Sequence, residues 1–175
     1  MMTLATFENK AALVVLALLL TFAVYSEIKH SRIPNWLTLS GMGAGLVLGY
    51  LQGMPAFWLS LGGLLIGFGF LFLFYIFGGV GGGDVKLMGA AGALMGAKLI
   101  QPALFYTALV GVCLAFMMVI WRKDWWARVG GGLRRLAFWR QEASGQPVIM
   151  EPVMVPYGLA IAIGCEMAMF LCGVN

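Results

Sequence analysis

The chain has 175 residues, of which 62% are hydrophobic and only 10% charged, and its mean hydropathy of +0.94 lies far from that of a water-soluble domain. Six membrane-spanning helices of about 20 residues each would leave room for short connections only, which excludes a second, soluble domain. The net charge of +4 has the sign that nucleic acid attracts, but in so apolar a chain basic residues report which side of a membrane a loop occupies.

The first apolar run covers residues 11–25, preceded by Asn9-Lys10 and followed by Ser26-Glu27-Ile28-Lys29-His30-Ser31-Arg32. A cleaved signal peptide carries its positive charge before the apolar core. Here the heavier cluster follows, so the run reads as a retained span. The second and third runs cover residues 36–51 and 56–77, joined by the uncharged turn Gln52-Gly53-Met54-Pro55. Gly78-Gly79-Val80-Gly81-Gly82-Gly83 then leads into Asp84 and a shorter run over residues 85–97. That run holds Lys86 and many small residues, as expected of a short or tilted span buried in protein. A fifth run covers residues 100–121 and a sixth residues 153–174.

Between the last two lies the one long polar segment, residues 122–151. It holds Arg122, Lys123, Arg128, Arg134, Arg135 and Arg140 together with Trp125, Trp126 and Trp139. Basic and aromatic residues in such a mixture belong at a membrane surface, and Leu133, Leu136, Ala137 and Arg140 have the spacing of a short interfacial helix. Membrane lipid, not nucleic acid, is the expected partner. In a six-span chain Lys29, Arg32, Lys86 and the basic residues of this loop share one side, against Lys10 and Lys98 on the other. The positive-inside rule makes the richer side cytoplasmic and both termini external. Glu27 and Asp84 then lie at one membrane face, a consequence of span alternation alone. Cys113, Cys165 and Cys172 sit in apolar stretches without C-x-x-C spacing and read as small packing residues. Glycine, at 25 residues, suits close packing of helices in lipid.

An acidic side chain at or within a membrane is costly unless it faces a polar cavity, which makes each one a functional candidate. Glu8, Asp124, Glu142 and Glu151 fall in the tail or the basic loop; Glu27, Asp84 and Glu166 do not. Two carboxyl groups at one face can hold a water between them, one taking its proton while the other, protonated, polarises a carbonyl. That is aspartic protease chemistry, and it requires no metal or cofactor. Gly81, Gly82 and Gly83 clear the approach to Asp84 for an extended peptide. The alternative reading makes those glycines a plain turn and Asp84 a helix cap. Glu166 lies 13 residues beyond Val153, roughly 20 Å along a helix, and is expected in the opposite half of the membrane, either paired with Lys98 or neutral and hydrogen-bonded to another helix.

Three segments resemble the type IV prepilin peptidases, membrane aspartyl proteases of the GxGD type. Glu27-Ile28-Lys29-His30-Ser31-Arg32-Ile33-Pro34-Asn35 resembles the first catalytic segment, an acid six residues before Ile-Pro-Asn. Gly81-Gly82-Gly83-Asp84-Val85-Lys86-Leu87 matches the second, Gly-x-Gly-Asp-x-Lys-Leu. Val155-Pro156-Tyr157-Gly158, with Ala160-Ile161 beyond, resembles the Pro-Tyr-Gly-x-Ala-Ile segment near the last span. The resemblance implies removal of the basic leader from prepilins or pseudopilins at the cytoplasmic face of a bacterial inner membrane, with assembly-platform proteins as further partners. Larger members add a tetracysteine zinc site and an N-methyltransferase activity. This chain lacks that cysteine set and resembles the short, peptidase-only form associated with tight-adherence or Flp pili.

One departure stands out: the family's first acid is Asp, and here it is Glu27. The extra methylene moves the carboxyl by about 1 to 1.5 Å, and misplacement on that scale can cost about a hundredfold in rate. An active Glu/Asp peptidase, a slow one and an inactive pilin-binding relative all stay open, and a small proton-coupled transporter is the reading from another class. Around the two acids, Pro34 and Asn35 are expected to set the turn into the second span, with Asn35 as helix cap. Lys86 would neutralise the carboxylates, bind a substrate carboxylate or serve orientation only. Tyr157 would hydrogen-bond near the site or occupy the aromatic belt. The expectation is an all-α polytopic membrane protein of about six spans, a single domain over residues 1–175, with a cytoplasmic basic loop between spans five and six.

Overall fold

A computed structural model describes residues 10–30, 32–77, 80–121 and 157–172. They form helices α1 (Lys10–His30), α2 (Asn35–Leu51), α3 (Met54–Ile76), α4 (Gly82–Trp121) and α5 (Tyr157–Cys172), with no strand among the described residues. Helix α4 is two helical segments joined at Gly96, whose φ of 74° and ψ of 167° break the helix. Positive φ costs an L side chain dearly and glycine little. With that break, helices fall on all six apolar runs of the sequence. The polar segment 122–151, with its expected interfacial helix, lies outside the described residues.

Three of these helices are long and apolar enough to cross a membrane: Ala11–His30, Met54–Ile76 and Gly82–Leu114. This is fewer than the six expected, for a physical reason. Helix α2 has 17 residues and α5 has 16, or roughly 25 Å each, less than the roughly 30 Å hydrocarbon core, and the two segments of α4 on either side of Gly96 fall together in the single stretch Gly82–Leu114. The chain divides into two compact units, Met1–Gly111 with Pro156–Asn175, and Val112–Val155. Of the second, the structure describes the helical residues 112–121.

In the first unit the core is built around the first half of α4. Val85, Leu87, Met88, Ala90, Ala91 and Ala93 are all at most 2% exposed, in keeping with the expected short, protein-buried helix. Leu16 and Leu20 of α1 and Ile161 and Cys165 of α5 join the same cluster. Outward-facing residues are as apolar as the core: Leu18, Trp58, Leu65 and Phe105 are each more than 60% exposed. A chain with apolar residues on both faces of its helices is suited to lipid. Of the cysteines, only Cys165 is buried; Cys113 and Cys172 are exposed, so packing accounts for one of the three.

Glycine sets how closely α4 is approached. A Cβ on Gly92 would lie 2.6 Å from the Gly63 carbonyl carbon of α3, and one on Gly63 would lie 2.9 Å from the Gly92 carbonyl carbon. Gly45 of α2 meets the Ala93 backbone and Gly67 of α3 the Met88 backbone in the same way. Between helices in lipid, small residues replace the hydrophobic drive with van der Waals contact between backbones. Gly92→Ala is therefore expected to destabilise by about 1–3 kcal/mol, lowering the thermal unfolding temperature in detergent. Gly43 has nothing within 4 Å of a Cβ position, and Gly43→Ala is expected to be neutral or stabilising by up to about 1 kcal/mol.

Candidate active site

Four helix ends meet at one end of the first unit: the C-terminal turn of α1 and the N-terminal turns of α2, α4 and α5. The link from α1 to α2 is held by Ser26 Oγ, which donates to the Arg32 carbonyl at 2.9 Å. Pro34, in extended conformation, then occupies the N-cap position of α2. At the start of α4, the Gly81 carbonyl accepts from the backbone N–H groups of Asp84 and Val85 at 3.1 and 3.3 Å. Asp84 sits in the first turn, where the helix dipole favours a carboxylate.

The ends of α1, α2 and α4, with the segments leading into α2 and α4, form a cleft of about 390 Å³ lined by Glu27, Arg32, Ile33, Asn35, Gly81, Gly82, Gly83, Asp84 and Lys86. Asp84 is buried at 8% exposure and Glu27 is half-buried, and the two carboxyl groups are near enough to interact electrostatically. Asp84 Oδ1 and Glu27 Oε2 are both buried and have no hydrogen-bond partner among the described residues. The Glu27 carboxyl faces the backbone of Tyr157, Gly158 and Leu159 in the first turn of α5, although its Oε2 makes no hydrogen bond of ordinary geometry there. Space around both acids depends on missing side chains. A Cβ on Gly81 would lie 2.9 Å from Asp84 Oδ2, one on Gly83 3.2 Å from Ile33 Cβ, and one on Gly158 2.5 Å from Glu27 Oε2.

The expected supporting residues are placed differently from one another. Asn35 does not cap α2: it is the first helical residue, after Pro34, and no side chain caps that end. Its Oδ1 instead accepts from Lys86 Nζ at 2.9 Å, so Lys86 links α4 to α2 and forms no ion pair with either carboxylate. Tyr157 does not line the cleft; its ring lies over Gly111 and it presents backbone to Glu27. Gly82 lines the cleft with Gly81 and Gly83 as expected, whereas Arg32 and Ile33 line it without having been singled out for it. Glu166 is exposed beside Leu13, fourteen residues from Glu27 along α1 and so roughly 21 Å away along that helix. It makes no ion pair with Lys98, which is itself exposed on α4. Among the described residues no three His, Cys, Asp or Glu side chains gather as a metal site.

Residues 14–116, which include both acids of the cleft, match the type IV leader peptidase family. The chain belongs to that family. Over 108 residues it is 31% identical to the prepilin leader peptidase/N-methyltransferase of Bacillus subtilis (strain 168), covering 61% of this chain and 43% of that protein. Over 122 residues it is 30% identical to the prepilin leader peptidase/N-methyltransferase of Myxococcus xanthus (strain DK1622), covering 66% of this chain and 36% of that protein. The chain thus spans about two fifths of the length of these curated relatives. No solved structure matches it. The family match ends before α5, so the helix whose first turn faces Glu27 lies outside it.

The Lys86–Asn35 hydrogen bond is expected to contribute about 1 kcal/mol. Lys86→Met and Asn35→Ala should each lower stability by that amount, and the double variant by no more than either alone. Thermal unfolding of the four proteins in detergent measures the coupling.

Proposed function

We propose that the protein is a membrane-embedded leader endopeptidase that removes the basic leader of prepilins, with Glu27 and Asp84 as its coupled acid and base. The observation that carries this reading is the cleft itself. Two carboxyl groups from distant segments line it, each with a buried oxygen that has no partner among the described residues, in a stretch that matches the leader peptidase family. A water between them can lose a proton to one carboxylate as it attacks the scissile carbonyl, while the other, protonated, donates to the carbonyl oxygen. Collapse of the tetrahedral intermediate passes a proton to the leaving amine and restores the pair. Such a pair titrates as a unit, with the shared proton belonging to both. Gly81, Gly82 and Gly83 form the wall that a peptide backbone would approach.

In this reading the helices cross a bacterial inner membrane six times, and the cleft opens toward the cytoplasm, where the positive loops lie. Substrate prepilins are single apolar helices with a basic leader, so they reach the cleft by diffusion in the bilayer. The competing reading is a pilin-binding relative without activity, favoured by Glu27 in place of the family's Asp.

Co-expression with a candidate prepilin separates the two. Glu27→Gln and Asp84→Asn are each expected to lower leader removal by at least about a hundredfold, seen as precursor on a gel, whereas Glu27→Asp keeps the carboxyl and retains cleavage. Undiminished processing by Glu27→Gln overturns the assignment.

A further inference from the structure

Gly158 is the second residue of α5 and is buried. Glycine in a helix costs up to about 1 kcal/mol against alanine, so its presence in a buried first turn calls for a spatial reason. The Cα–Cβ bond in a helix tilts toward the N-terminus. At position 158 a Cβ would therefore project into the space just ahead of α5, and the Glu27 carboxyl fills that space. The Cβ position lies 2.5 Å from Glu27 Oε2, closer than real contacts permit, and a tight 3.3 Å from its Cδ, but an ordinary 3.5 Å from Ile33 Cδ1. The conflict is with the acid and not with the packing around it.

We propose that Gly158 is a positioning residue for Glu27, its missing side chain forming the seat that holds the longer acid against the first turn of α5 and across the cleft from Asp84. The proposal rests on the leader peptidase reading for its catalytic consequence and on the contact alone for its structural one. The seat also bears on the departure at position 27. Glutamate carries its carboxyl one bond, about 1.5 Å, farther from α1 than aspartate does, and Gly158 is where that extra reach ends.

The test is a rescue. Full-length wild type, Gly158→Ala, Glu27→Asp, the Glu27→Asp/Gly158→Ala double variant and an Ile33→Val/Gly158→Ala control are purified in detergent. Each is assayed on a synthetic prepilin, with rates normalised to folded protein by size exclusion. Gly158→Ala is expected to lower kcat at least tenfold with KM within twofold of wild type. Added to Glu27→Asp, it is expected to cost less than threefold, because the shorter acid leaves room for the methyl group. Ile33→Val should restore nothing. The same cost of alanine in both backgrounds, or equal rescue by Ile33→Val, overturns the proposal. Should Gly158→Ala fail to accumulate, the proposal requires the Glu27→Asp/Gly158→Ala double variant to accumulate, and equal failure overturns it. Should wild type cleave no prepilin, the leader peptidase reading falls while the seat is still tested by thermal unfolding. A smaller drop in unfolding temperature when alanine is added to Glu27→Asp than when it is added to wild type supports the seat, and an equal drop refutes it.

Discussion

Helices already dissolved in lipid gain little by hiding apolar side chains from one another, so what they gain on association must come from contact itself. In this protein the contact that matters is backbone against backbone, where Gly63 of α3 meets Gly92 of α4. Everything else in the first unit is arranged around the α4 segment held there. Its neighbours α1 and α5 pack Leu16, Leu20 and Ile161 into the cluster around it, and α2 brings Gly45 against the Ala93 backbone, while Leu18, Val47 and Phe170 of the same helices point outward. A side chain at either glycine would hold the backbones apart, and no rearrangement of flexible groups would compensate.

The same packing explains why two acids can sit where they do. Asp84 leads the central segment, so a bundle closed around that segment brings the ends of its neighbours up to the carboxyl. Glu27 arrives from the last turn of α1, and the link through Ser26, Arg32 and Pro34 turns the chain directly into α2. Asn35 then engages Lys86 across the cleft. Cations and anions thus share one small space without pairing among the described residues, and Glu27 Oε2 and Asp84 Oδ1 are left without a hydrogen-bond partner there. That arrangement is held at the expense of stability, because a buried carboxyl oxygen without a partner costs free energy.

Much of this was legible in the residues. Apolar runs located every described helix because lipid leaves the chain no other way to satisfy its backbone. Alternation of spans placed Glu27 and Asp84 at a shared end, and the glycine-rich lead into Asp84 marked an uncluttered approach. A break between the runs 85–97 and 100–121 was legible, but not that Gly96 makes it, since one glycine among 25 carries no mark distinguishing a positive φ from a packing contact. Asn35 followed cap preferences that Pro34, one position earlier, displaced. Of the two alternatives for Glu166, the pair with Lys98 is not formed because both side chains face outward, and a helix rise locates depth but not azimuth. The meeting of Gly158 with Glu27 joins residues far apart in the chain, so only the fold could disclose it, even though Gly158 stood in a recognisable motif.

The break at Gly96 gives the central segment a mechanical character. From Gly96 to Asp84 the helix is a lever of roughly 18 Å, pivoted where its hydrogen-bond ladder is interrupted. A tilt of about 5° about that pivot carries the carboxyl through roughly 1.6 Å, the scale on which catalytic geometry is won or lost. The glycine contacts are distributed along this lever: Gly45 and Gly63 grip it near the pivot at Ala93 and Gly92, and Gly67 grips it at Met88, one turn from the acid. Stiffness at Asp84 is thus supplied by clamps along the shaft, so a substitution at a distant clamp reaches the acid as an angular error.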